Sequence, residues 1–235
     1  MTLRIRRVTT TRAGGVSAPP FDAFNLGDHV GDDPSAVGTN RKRLSTAIGL
    51  GDDEIVWMNQ VHSDHVVVVD EPRDAPVDNT DALVTNRRRL ALAVVTADCV
   101  PVLMGDARAG VVAAAHAGRV GAAHGIVVRT VEAMRELGAH PEDISALLGP
   151  AVSGHNYEVP EAMAAEVEAA LPGSRTTTGK GTPGLDLRAG IVRQLASLGI
   201  KAVDVDPRCT VADRSLFSHR RDAPTGRLAS LVWME

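Results

Sequence analysis

Aromatic side chains are scarce: Phe, Trp and Tyr together make up 3% of the 235 residues. The core must therefore rest on Val, Leu, Ile and Ala, and the stacking platforms on which single-stranded nucleic acid lies are missing. Cysteine is nearly absent too, with only Cys99 and Cys209. A chain of this length buries a substantial core without disulfide staples, and in a reducing compartment such a pair serves chemistry or burial. No apolar run approaches the roughly 20 residues of a membrane helix. The opening Met1-Thr2-Leu3-Arg4-Ile5 lacks the apolar stretch of a secretory signal, so a soluble, cytoplasmic protein with no membrane partner is expected. The net charge of −4 argues against a general nucleic-acid binder. The one dense basic cluster, Arg87-Arg88-Arg89, reads as a solvated turn. Repeats, low-complexity tracts and linkers are also missing, so residues 1–235 are expected to form one domain.

What is present is a dense succession of short apolar segments cut by Gly and Pro. Asp33-Pro34 supplies an N-cap and a first-turn proline, and Val37, Arg41, Leu44 and Ile48 recur at helical spacing until Gly49. Strands are predicted over Ile55 to Val61, Val66 to Asp70 and Ala82 to Thr85, then over Leu90 to Thr96, Val100 to Met104 and Gly110 to Ala115. The last three lack clean alternation and read as strands buried on both faces. Further helices are predicted over His124 to Leu137, Pro160 to Leu171 and Leu185 to Leu198, with strands at Ile144 to Leu148 and Leu228 to Trp233. Strands outnumber helices and do not alternate with them. The prediction is an α/β (α+β) single-domain layered sandwich with mixed β-sheets rather than a doubly wound sheet.

Three candidate metal ligands stand where strands stop. His62 closes Gln60-Val61-His62, Cys99 follows Thr96-Ala97-Asp98, and His116 follows Ala113-Ala114-Ala115. Rigid strands fix coordination geometry well. One thiolate and two imidazoles suit zinc, and three protein ligands leave the fourth tetrahedral position open, as catalytic sites do. Spacing alone does not choose between His62 and His65.

The chain resembles the YfiH family, also called the laccase-domain or multicopper polyphenol oxidoreductase family, which includes FAMIN-like purine enzymes. The resemblance rests on ordered motifs from end to end. They include Thr11-Arg12-Ala13-Gly14-Gly15, Asn25-Leu26-Gly27, His29-Val30-Gly31-Asp32-Asp33 and Asn40-Arg41. Gln60-Val61-His62, Asp81-Ala82-Leu83-Val84-Thr85, Ala97-Asp98-Cys99 and Ala115-His116-Ala117-Gly118 follow, then Tyr157-Glu158-Val159, Cys209-Thr210, Arg220-Arg221-Asp222 and Thr225-Gly226-Arg227. It implies a YfiH-like fold shared with deamidating toxins, and zinc ligands at His62, Cys99 and His116.

It also implies zinc-dependent purine nucleoside phosphorolysis, acting on adenosine, inosine, guanosine and methylthioadenosine, with adenosine deaminase activity. The partners would be small molecules, a purine nucleoside and phosphate. Copper-based polyphenol oxidation, the family's other reading, fits the inventory badly. Of the eight histidines no two are separated by a single residue, whereas multicopper centres use many imidazoles, usually with His-x-His pairs. A Cys99–His116 amide hydrolase editing peptidoglycan precursors is a further alternative.

Candidate catalytic residues are Asp98, Cys99 and His116. Asp98 is read as a proton shuttle or ligand orienter. Gln60 is a candidate for base or sugar contact, and Arg12, Arg41 and Arg119 are candidates for phosphate, which the planar guanidinium binds through paired hydrogen bonds. Two departures from the family pattern stand out. Where relatives read HAGWRG, this chain reads His116-Ala117-Gly118-Arg119-Val120-Gly121, and His219 replaces the usual tyrosine. No heptad or exposed apolar helix face suggests assembly, so a monomer is the default.

Overall fold

A computed structural model describes residues 3–235. In chain order the elements are β1 (Ile5–Thr9), α1 (Pro34–Ile48), β2 (Ile55–Val56), β3 (Val66–Val68), β4 (Ala82–Thr85), β5 (Ala91–Thr96), β6 (Val100–Asp106) and β7 (Val111–Ala117). Then follow α2 (Arg119–Ala123), α3 (Ile126–Glu136), β8 (Ile144–Leu148), α4 (Glu161–Ala170), β9 (Arg175–Thr177) and β10 (Pro183–Leu185). The chain ends with α5 (Leu187–Ser197), β11 (Ala202–Val205), α6 (His219–Asp222) and β12 (Leu228–Met234).

Two mixed sheets dominate, one of four strands in the order β1-β12-β5-β2 and one of six in the order β11-β8-β6-β7-β4-β3; β9 and β10 pair in a small hairpin. Side-chain alternation divides each central strand between two interiors. In β7, Val111, Ala113 and Ala115 meet Ile126, Val131 and Met134 of α3 and Ile191 of α5. Val112 and Ala114 point the other way, into a core shared with Leu92, Val94 and Val232 of the four-stranded sheet. The outer face of that second sheet buries Ala93, Leu231 and Trp233 against Leu44 of α1. The result is helices, sheet, sheet and helix in four layers, each Val, Leu, Ile or Met side chain contributing about 1.5–3 kcal/mol on full burial.

Both faces of β5, β6 and β7 are buried, which is why their sequences run apolar without alternation. The α1 prediction holds at both ends: the Asp33 side chain accepts from the Ser35 amide and Gly49 closes the helix at φ 74°. Elsewhere the boundaries move. The predicted strand Ile55 to Val61 shrinks to Ile55–Val56. The predicted helix from His124 divides at Gly125, whose φ of 87° separates α2 from α3. Among the described residues, no helix is long and apolar enough to cross a membrane.

Candidate metal centre and cavity

The same alternation that builds the core aims the site. His116 has the parity of Val112 and Ala114 in β7, so it faces the gap between the sheets at the end of the strand. Asp81, one residue before β4, has the parity of the inter-sheet Leu83, and Cys99, one residue before β6, has that of Leu103. Strand pairing sets Ala82 opposite Ala115 and Pro101 opposite His116. Asp81, Cys99 and His116 thereby converge at one mouth of the sandwich. The loop between β2 and β3 brings His62 across. One ligand atom each from His62, Cys99 and His116 lies within 4.8 Å of the others, with the two imidazole rings edge to face at 4.7 Å.

Asp81 holds this constellation together and was not singled out by sequence reasoning. Fully buried, its carboxylate accepts from His116 Nδ1 at 2.8 Å and from the His62 amide at 3.0 Å through Oδ1. Its Oδ2 accepts from the amides of Val61 and Ser63 and from Ser63 Oγ. One carboxylate thus turns Nε2 of His116 toward the site and bends the His62 loop, where His62 itself takes φ 62°. Burial alone would raise the Asp81 carboxyl; the hydrogen bonds from His116 and Ser63 outweigh it and bring it down to about 2.

Burial likewise pushes the His116 imidazolium down, but the negative charges of Cys99 and Asp81 lift it to about 9. His62 is pushed down by burial and then by His116. The His116 ring thus lies between a sulfur and a carboxylate, a setting in which a divalent cation can take the place of a proton. The donors, two imidazoles and one sulfur, fit zinc. Gly118 completes the cradle: a Cβ there would lie 2.4 Å from His62 Nδ1 and 3.1 Å from Cys99 Sγ. His65 lies apart from the group, its Nδ1 bonded to the Asn79 carbonyl, and it is His62 that comes together with Cys99 and His116.

A cavity of about 290 Å³ opens over the three ligands, walled by Thr96, Val152, Tyr157 and Leu187 and edged by His29, Arg119, His219, Arg220 and Arg227. Its size approaches the lower end of small-molecule sites, ~300 Å³. Arg119, the first residue of α2, lines it, whereas Val120 does not. Gln60 also lines it, but both ends of its amide engage the Val95 backbone at 2.8–2.9 Å. Asp98 borders it with φ 98° and with its carboxylate bonded to Thr210, Ser218 and the Arg220 amide.

Arg12 and Arg41 stand outside the cavity walls. Arg12 bonds the Asp22 carbonyl and carboxylate and lies over Phe217. Arg41 bonds the Leu26 carbonyl, pairs with Asp28 at 3.2 Å and stacks on Trp57, so it braces the loop that brings His29 to the rim. The rim residues Arg220, Arg227, His29 and Tyr157 sit inside recognisable motifs, yet nothing in their spacing gave them a role.

A four-layer α/β sandwich carrying a His-Cys-His group able to hold a metal under an arginine-rimmed cavity defines the class. The family model described as "Multi-copper polyphenol oxidoreductase laccase" matches residues 6–235, and the chain belongs to that family. Among curated relatives, a protein of Mycobacterium tuberculosis named purine nucleoside phosphorylase is 74% identical over all of this chain and 94% of its own length. One of Corynebacterium glutamicum, with the same name, is 61% identical over 98% of this chain and 94% of its own. The crystal structure of YfiH from Bacillus licheniformis superposes with a TM-score of 0.91 at 33% identity, covering 98% of this chain and 93% of that one. YlmD from Geobacillus stearothermophilus gives 0.91 at 32% identity, covering 97% and 91% respectively.

Proposed function

We propose that the chain is a zinc-dependent purine nucleoside phosphorylase, cleaving adenosine, inosine, guanosine and methylthioadenosine with phosphate, and that it also deaminates adenosine. The observation that carries this reading is the meeting, in one cavity, of the His62–Cys99–His116 group with three arginines, Arg119, Arg220 and Arg227. The relatives named purine nucleoside phosphorylase support it.

In phosphorolysis an oxygen of hydrogen phosphate forms a bond to C1′ of the ribose as the bond to the purine nitrogen breaks and the phosphate proton passes to the leaving base, giving free base and ribose 1-phosphate, or 5-methylthioribose 1-phosphate from methylthioadenosine. The chain's own part is to hold a dianion against a cationic sugar centre. Arginine forks suit that, because they donate paired bonds in fixed geometry and stay charged in a half-buried site. Arg119 lines the cavity next to Val120, the position at which the family pattern carries arginine. When bound at His62, Cys99 and His116, zinc supplies Lewis-acid polarisation. Asp81 keeps His116 oriented, and Tyr157 and Leu187 exclude water from one wall.

Copper is the alternative metal. Zinc is favoured because His62, Cys99 and His116 are the single metal-ligand group among the described residues, which leaves no second or third copper position. The Cys99–His116 contact keeps amide hydrolysis as the competing chemistry, one that runs without metal.

The test follows a purine nucleoside panel by chromatography with and without phosphate, on protein whose metal has been quantified. Ribose 1-phosphate and free base appearing only with phosphate, at one zinc per chain, is the expected result. Inosine formed from adenosine without phosphate reports deamination. Turnover that persists in Cys99→Ser after zinc binding is lost overturns the reading.

A further inference from the structure

Asp98 belongs to the turn that presents Cys99, yet its side-chain hydrogen bonds run to the distant C-terminal segment, while its backbone carbonyl accepts from the Val152 amide. Oδ1 accepts from Thr210 Oγ1 at 2.5 Å and from Ser218 Oγ at 2.7 Å; Oδ2 accepts from the backbone amide of Arg220 at 2.6 Å. Thr210 and Ser218 are fully buried. Ser218 is also the N-cap of the short helix α6, its side chain accepting from the Arg221 amide. Arg221 secures the same segment from within, donating to the carbonyls of Thr210, Val211, Asp213 and Leu216.

The segment ends at the cavity. His219 and Arg220 both line it, and the Arg220 guanidinium lies 4.9 Å over the Tyr157 ring while donating to the Glu158 carbonyl. The backbone at Asp98 sits at φ 98°, a region that costs an L residue energy and that Asp and Asn tolerate best. A strained carboxylate with three convergent donors is over-determined by its surroundings. Each hydrogen bond of the carboxylate reaches the segment that carries His219 and Arg220.

We propose that Asp98 is a positioning residue for the anion-binding side of the cavity: it latches residues 210–220 to the Cys99 turn and thereby fixes the Arg220 guanidinium at the phosphate position. The latch stands on its own geometry; its link to phosphate rests on the phosphorolysis reading. Three donors converging on the carboxylate leave no room for it to carry a proton to substrate, so it acts through Arg220.

The test uses the zinc-loaded full chain with Asp98→Asn, which keeps the size and the tolerance of positive φ but turns one acceptor into a donor facing the Arg220 amide. Hydrogen exchange reads the latch directly, and protection of the Arg220 amide and of residues 210–220 is expected to fall. Calorimetry with inorganic phosphate then reads the consequence: affinity weaker by about tenfold, the scale of one charge-assisted hydrogen bond. KM for phosphate rises in step, while KM for nucleoside and the zinc content hold. Thr210→Val, which removes one latch bond without touching Asp98, is expected to shift phosphate affinity the same way by a smaller factor, and it serves if Asp98→Asn fails to fold.

Unchanged protection of 210–220 in both variants overturns the latch. Lost protection with unchanged phosphate affinity overturns the link to Arg220. A fall in kcat with phosphate binding intact overturns the positioning role in favour of direct chemistry. If the wild-type chain binds no phosphate while Asp98→Asn still frees the segment, the phosphorolysis reading fails and the latch stands.

Discussion

Replacing Asp81 with Asn tests the organisation of the metal centre most severely, because it preserves shape and removes only the pattern of acceptors. Five donors converge on the Asp81 carboxylate: His116 Nδ1, the amides of Val61, His62 and Ser63, and Ser63 Oγ. An Asn offers one acceptor oxygen and one NH₂ group. If the oxygen keeps His116 and His62, the NH₂ faces the Val61 and Ser63 donors and the His62 loop lifts. If it turns over, His116 loses its orienting partner. Either way one of three ligands is released from its geometry. Loss of such an orienting carboxylate weakens metal binding by about 10–100-fold, or ~1.4–2.7 kcal/mol. Buried donors left facing a donor cost about 1–3 kcal/mol in the folded chain. For a protein of this size that lowers the metal-free Tm by about 2–12 °C. The assay is competition with a chromophoric zinc chelator, beside melting of the metal-free and zinc-loaded forms. Excess zinc is expected to restore turnover, since the ligands themselves remain. A folded Asp81→Asn chain that binds zinc with wild-type affinity would mean that Asp81 does not orient the ligands.

Four further outcomes follow from the same contacts. Gly118→Ala places a methyl against His62 and Cys99, so zinc stoichiometry is expected to fall well below one per chain while circular dichroism stays native. Arg227→Ala, which removes a rim cation half-buried beside Cys99 and Asp98, is expected to raise KM for phosphate by about tenfold or more with zinc content unchanged; unaltered phosphate kinetics would remove Arg227 from the anion site. Arg41→Ala breaks the Leu26, Asp28 and Trp57 contacts and is expected to lower Tm, with any kinetic change traceable to His29 rather than to phosphate binding. In acid, Asp81 contributes stability that is complete above the ordinary aspartate range near ~3.9 and is lost as pH falls through its lowered value of about 2. Acid titration of the metal-free chain should show this limb, and Asp81→Asn should lack it.

Much of the fold was legible because its strongest elements obey local rules. The α1 boundaries follow from Asp33-Pro34 and Gly49, and the doubly buried β5, β6 and β7 announce themselves as long apolar runs. What escaped was structure made by tertiary partners. β1 carries Arg6 and Arg7 on an edge strand that is half-buried throughout, and Arg7 crosses to the other sheet to bond Ser145, a contact no local pattern reveals. β9, β10 and β11 are three or four residues long and exist because a neighbouring strand accepts them. Gln60 to His62 looked like strand continuation, but the chain there curls around the Asp81 carboxylate instead.

The site followed a different logic. His62, Cys99 and His116 stood out as candidate ligands through motif order, and the reason Cys99 and His116 meet is a period-two argument once the strand pairing is known. Asp81 shares parity with Leu83, Cys99 with Leu103, and His116 with Ala114 and Val112, and all of these apolar partners face the second sheet. Given antiparallel β4, β6 and β7, the residues just beyond that apolar layer must emerge together at its edge. The arginines resisted the same treatment because a guanidinium is used in two opposite ways here. Arg41 spends its donors on the Leu26 carbonyl and Asp28, while Arg119 leaves its side chain at the cavity. Sequence spacing assigns the residue type but not where the donors go, and only the carbonyls and carboxylates brought near by the fold decide which arginines remain free for an anion.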